Sequence, residues 1–162
     1  MTTFLLFGST LFSVGLVAGG YSLAGFSLLA LLLGALGVIW IVGLIRGWKW
    51  IPLVGLLSVY GFAAPGFFLG LSGVLMFVGA LLGLSAWDLS DFSARLKLAA
   101  EEDDVPSLER RHMLRLMLVL LPGAALVAVS LIVHIRISFE WMVVLILVAV
   151  WGFGRMVAQL LH

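Results

Sequence analysis

From Leu23 to Ile45, and again from Ile51 to Trp87, the chain carries no charged residue. A bilayer core about 30 Å thick takes about 20 helical residues to cross. Uncharged apolar blocks of that length are membrane spans before they are anything else. The rest of the composition agrees. Of 162 residues, 64% are hydrophobic and 10% charged, whereas a soluble domain spends about a quarter of its residues on charge. Lipid offers the backbone no hydrogen-bond partner, so a span must be a helix or a strand of a closed barrel. Barrel strands alternate apolar and polar residues, but Leu28-Leu29-Ala30-Leu31-Leu32-Leu33 is apolar on every side. The expected class is all-α, a polytopic transmembrane helical bundle.

About six spans follow, arranged as three helical hairpins. The first covers Phe4 to Ala18, an apolar stretch with no Lys or Arg before it and so a poor signal peptide. Gly19-Gly20-Tyr21-Ser22 is the expected turn. The second span covers Leu23 to Ile45 and ends in the polar loop Arg46-Gly47-Trp48-Lys49-Trp50. The third opens with Pro52, at a position where no helix bond is lost, and ends near Ala63 with a turn at Pro65-Gly66. The fourth covers Phe67 to Trp87. Residues 1–87 thus form a four-span membrane unit, 88–111 a charged segment and 112–162 a two-span hairpin.

Every acidic residue except Glu140 lies in the segment 88–111. Within it, Leu89, Phe92, Leu96 and Ala99 recur at three- and four-residue spacing, which predicts a short cytoplasmic amphipathic helix, on the membrane surface or against the bundle. Asp104-Val105-Pro106 reads as the next helix start. The fifth span covers His112 to Ile135, with a bend expected at Pro122-Gly123. The sixth covers Phe139 to Leu161.

Positive charge sets orientation. With six spans, Arg46, Lys49, Arg95, Lys97, Arg110, Arg111, Arg115 and Arg155 share one side, and only Arg136 lies on the other. The termini and the segment 88–111 are therefore expected in the cytoplasm, and the protein in the cell membrane, the inner one where there are two. Trp48, Trp50, Trp87 and Trp141 suit the headgroup level as interfacial anchors.

Shifting the chain by 45 residues lays the first two spans over the next two. Leu11, Ser13, Val14 and Ala18 fall on Leu56, Ser58, Val59 and Ala63. Gly25 and Ser27 fall on Gly70 and Ser72, and Gly34-Ala35-Leu36 on Gly79-Ala80-Leu81. A tandem duplication and a chance match within a small membrane alphabet both account for this. Of the 19 glycines, 16 precede residue 84, which places close helix packing in the first four spans. The pairs Gly15/Gly19, Gly43/Gly47, Gly66/Gly70 and Gly79/Gly83 have the four-residue spacing that lets backbones approach. They serve packing within the chain or a face for a partner. These glycine-rich hairpins are loosely similar to the repeated hairpins of HdeD-type acid-resistance membrane proteins. The long acidic segment departs from that pattern, and no residue role carries over.

Several chemistries find no support. Without cysteine there is no disulfide, thiolate metal site or thiol nucleophile. No charged residue lies where a coupled carrier would need one at mid-depth; the hydroxyls of Thr10, Ser13, Ser27, Ser58, Tyr60, Ser72 and Ser130 are what remain there. His112 and His134 sit 22 positions apart on one expected helix, roughly 33 Å, so they do not grip one haem iron. The acidic run at 101–104 lacks the ligand spacing of a calcium loop. No cofactor and no metal are expected.

The cluster Arg110, Arg111 and Arg115 either orients the chain or holds anionic lipid or a partner's acidic patch. Asp88 or Glu109 is expected to pair with Arg115 or Arg155. The partners implied are the lipid bilayer and other membrane subunits or a second copy, not nucleic acid. Three functions fit: a non-catalytic accessory or assembly subunit; a transporter or channel for a small solute, ion or lipid, as a homodimer; or a lipid-directed enzyme in which Asp88, Asp91, Glu109 and His112 share one pocket.

Overall fold

The computed structural model describes residues 2–96 and 105–133. Its elements are all helices: α1 (Thr2–Leu23), α2 (Ser27–Ile45), α3 (Ile51–Phe68), α4 (Gly73–Leu96) and α5 (Val105–Val133). The chain divides into two compact units, Met1–Leu126 and Val127–His162; the first holds α1–α4 and most of α5. Four helices, α1 to α4, are long and apolar enough to cross a membrane. The expected sixth span and Trp141 lie outside the described residues.

In the first unit α1 packs most extensively on α4 and also against α2; α3 packs against α4 and α2. The inward face of α1 is Thr2, Leu6, Thr10, Ser13, Val17, Gly20 and Tyr21, at three- and four-residue spacing. Phe4, Leu11 and Phe12 on the same helix are exposed. Four of these seven inward residues are hydroxylated and one is glycine, a pattern that suits a helix whose surroundings are as apolar as leucine. Close packing, not hydrophobicity, then decides which face is inside.

The inward hydroxyls are spent on backbone carbonyls. Thr10 Oγ1 donates to Leu6 O at 2.9 Å, Ser13 Oγ to Gly79 O at 2.7 Å and Tyr21 OH to Phe62 O at 2.8 Å. The last two tie α1 to α4 and α3. In a medium without water such bonds remove the cost of a buried donor.

Glycine admits the knobs of neighbouring helices. A Cβ on Gly79 would strike Val17, and one on Gly55 would collide with the ring of Trp40, which is 1% exposed. A Cβ on Gly83 would lie 3.0 Å from Ser13 Oγ and 3.2 Å from Val59.

Two expected turns are helical. Gly19-Gly20-Tyr21-Ser22 lies inside α1, and Pro65-Gly66 lies inside α3. The reason is Met76. A Cβ on Gly20 would collide with its terminal methyl, and one on Gly66 would lie 2.6 Å from its sulfur. These glycines make room for a side chain of α4. Pro65 removes one helix bond near the end of α3, which a membrane helix tolerates.

The true turns carry a different glycine. α1, α2 and α3 end at Gly25, Gly47 and Gly70, with φ of 86°, 72° and 76°. Each closes the same pair of bonds. Phe26 N donates to Tyr21 O and Gly25 N to Ser22 O; Trp48 N donates to Gly43 O and Gly47 N to Leu44 O; Leu71 N donates to Gly66 O and Gly70 N to Phe67 O. This Schellman closure needs a left-handed residue, which glycine supplies without a Cβ penalty.

The expected separate amphipathic helix is also corrected. α4 runs unbroken from Gly73 to Leu96, about 36 Å of helix, so its last turns outreach a bilayer core. No breaker stands between Trp87 and Ser93. Of the stripe, Leu89 packs into the bundle at 2% exposure, Phe92 and Leu96 are half-buried, and Ala99 lies outside the described residues. α5 is continuous through Pro122 and seats Met113 and Leu116 against the core.

Candidate functional site at the charged rim

The chemistry of the first unit collects at one end. The N-terminus of α1, the 46–50 loop, the last turns of α4 and the first half of α5 meet there, and the turns at Gly25 and Gly70 close the other end. Two features occupy the rim, on opposite sides of α4.

The first is a polar latch between α4 and α5. His112 Nε2 lies 2.8 Å from Asp88 Oδ2, close enough for an ion pair when the imidazole is protonated, although the ring N–H is not aligned for a hydrogen bond. The ring of Phe92, one turn beyond Asp88, stacks on the imidazole at 3.9 Å and 2°. Thr2 Oγ1 donates to Glu109 Oε1 and ties α1 to α5. The expected carboxylate pairing with Arg115 is therefore replaced. Asp88 takes His112 and Glu109 takes Thr2, because His112 and Glu109 face the bundle while Arg110, Arg111 and Arg115 are exposed. Those three arginines form no ion pair among the described residues. Arg155 lies outside them.

The second feature is a cleft of about 570 Å³ between the 46–52 stretch and the end of α4. Its less exposed lining, the floor, is apolar: the buried Leu6 and the half-buried Leu44 and Pro52. Its mouth is polar: the exposed Lys49 and Asp91–Arg95 pair, with Ser90 and Ser93 half-buried beside them. Arg95 Nη2 and Nε lie 2.8 and 2.9 Å from Asp91 Oδ2, an exposed i,i+4 pair of small energy that cancels its own charge. Trp48 and Trp87 line the walls. Trp48 stacks on Trp50 at 5.7 Å and 11°, and the Arg46 guanidinium lies 5.7 Å from the Trp48 ring centroid. These three tryptophans are 39%, 59% and 36% exposed for Trp48, Trp50 and Trp87. One helical turn deeper, the buried Trp40 Nε1 has no acceptor among the described residues.

The four residues of the enzyme reading do not converge. Asp91 lines the cleft, whereas Asp88, Glu109 and His112 do not. The glycine pairs divide by role. Gly43, Gly66, Gly79 and Gly83 take close contacts; Gly47 and Gly70 are left-handed turn residues; Gly15 and Gly19 have no atom within 4 Å of a would-be Cβ among the described residues. Sequence reading passed over the cleft, Trp40 and the His112–Phe92 stack. The cleft joins residues some forty positions apart, and only the 45-residue register brings the ends of α2 and α4 into one frame.

Neither the sequence nor the fold matches a known protein family, a curated protein or a solved structure.

Proposed function

We propose that the chain is a six-span protein of the cell membrane that acts without catalysis, as an accessory or assembly subunit of a membrane complex. Its termini and the segment 88–111 face the cytoplasm, and residues 112–135 and 139–161 form a third hairpin.

The observation that carries this reading is the outer face of α1. Gly8, Gly15 and Gly19 fall within roughly 40° of one another around the helix, and a Cβ built on any of them would meet nothing within 4 Å among the described residues. Glycine is a poor helix former, so three on one open face are costly unless another backbone approaches there. The mid-depth hydroxyls of Thr10, Ser13 and Ser58 are already bonded to backbone carbonyls, so they are not free to hold a coupled ion. The identical closures at Gly25 and Gly70 fall in the register of the 45-residue shift and support the reading of 1–87 as a duplicated hairpin.

Native mass analysis of the protein gently extracted from its own membrane tests the proposal. The expected result is a particle larger than one chain, containing other polypeptides and reduced by Gly15→Leu with Gly19→Leu. A clean monomer overturns it. A second reading, a carrier or channel for a small solute or lipid, draws on the rim cleft; solute flux in liposomes holding the purified chain alone would favour it.

A further inference from the structure

We propose that the rim cleft is a binding site for the headgroup of an anionic phospholipid. The proposal is independent of the partner face on α1.

The cleft has the two-part character of an amphiphile's binding site, with an apolar floor of Leu6, Leu44 and Pro52 under a polar mouth. Its volume of about 570 Å³ lies within the usual range for small-molecule sites. A free inorganic anion would leave that floor wet, whereas a headgroup with its glycerol and upper acyl carbons covers it. The charge selects an anion. Asp91 neutralises Arg95, and Lys49 has no ion-pair partner among the described residues. Its ammonium is the uncompensated charge of the described lining. Ser90 and Ser93 place two hydroxyls across the cleft from it, neither bonded to another described group. A choline headgroup is disfavoured. It would meet Lys49 as a like charge, and the Trp48 ring that would receive it already has Arg46 against it.

The test uses the full chain labelled with 5-fluorotryptophan in zwitterionic micelles, read by fluorine NMR. Six tryptophans give six resonances, and single Trp→Phe variants assign Trp40, Trp48 and Trp87. Titration with phosphatidylglycerol is expected to shift both resonances saturably. Phosphatidylcholine and inorganic phosphate are expected to leave them in place. Lys49→Gln should weaken the phosphatidylglycerol response about five-fold, Lys49→Arg should keep it and Arg111→Gln should not change it. An unchanged Trp40 resonance without lipid certifies that each variant is folded. A response to phosphatidylcholine of equal strength, a response to inorganic phosphate alone, an undiminished response in Lys49→Gln or a lost one in Arg111→Gln each overturns the proposal.

Discussion

On the side of α1 that meets α4, side chains and glycines interlock: Val17 fills the space a Cβ would take on Gly79, and Ser13 lies against Gly83 and holds the Gly79 carbonyl. On its outer side, a Cβ built on Gly8, Gly15 or Gly19 meets nothing within 4 Å among the described residues. The same residue at similar spacing makes a tight joint on one side and an unfilled groove on the other. A glycine pattern therefore marks where backbones can approach, and only the structure says whether one has.

The largest effect expected to sharpen this contrast is at Gly55. Gly55→Ala drives a methyl into the Trp40 ring and should cost about 1–3 kcal/mol or more, read as an earlier midpoint in SDS-induced unfolding. Gly79→Ala belongs to the same class. A midpoint unchanged in both would break the distinction between joint and groove. Next come the turns. Gly25→Ala and Gly70→Ala each force alanine into the left-handed region, at about 1–2 kcal/mol. Because their closures are the same, the two losses should agree to within about 0.5 kcal/mol. Ser13→Ala removes the hydroxyl bond to Gly79 and should cost about 0.6 kcal/mol, with roughly 1.7 as an upper bound. The smallest loss, none at all, belongs to the groove. Gly15→Ala should leave the purified chain unchanged or stabilise it by up to about 1 kcal/mol, measured in the same unfolding assay. A clear loss there would mean that the outer face is already packed.

The existence and order of the first four helices were legible in the sequence because charge is absent over such long blocks. Their limits were less so. Gly19-Gly20 and Pro65-Gly66 carry the composition of a turn, yet Gly20 and Gly66 are small on account of Met76, a residue more than fifty positions from Gly20. The shift of 45 already aligned Gly25 with Gly70, the residues that do turn the chain; local composition pointed to the wrong glycines and the repeat to the right ones. The end of α4 was divided too early because charge begins at Asp88, and charge stops a span without stopping a helix. At the rim, the acidic residues and His112 were recognisable as a group. Their pairing was not, since exposure settles which of Glu109, Arg110, Arg111 and His112 look inward.

The three left-handed glycines also bear on how the protein is made. Each closure is completed by six consecutive residues and borrows nothing from elsewhere in the chain. A helix pair joined in this way carries its own finished corner as it leaves the ribosome, so in the membrane topology proposed above the first two helices can settle in the lipid before the next two are synthesised. Assembly then reduces to docking two preformed halves, and a lesion at Gly25 should delay insertion of the first half while one at Gly79 should spare insertion and spoil only the docking.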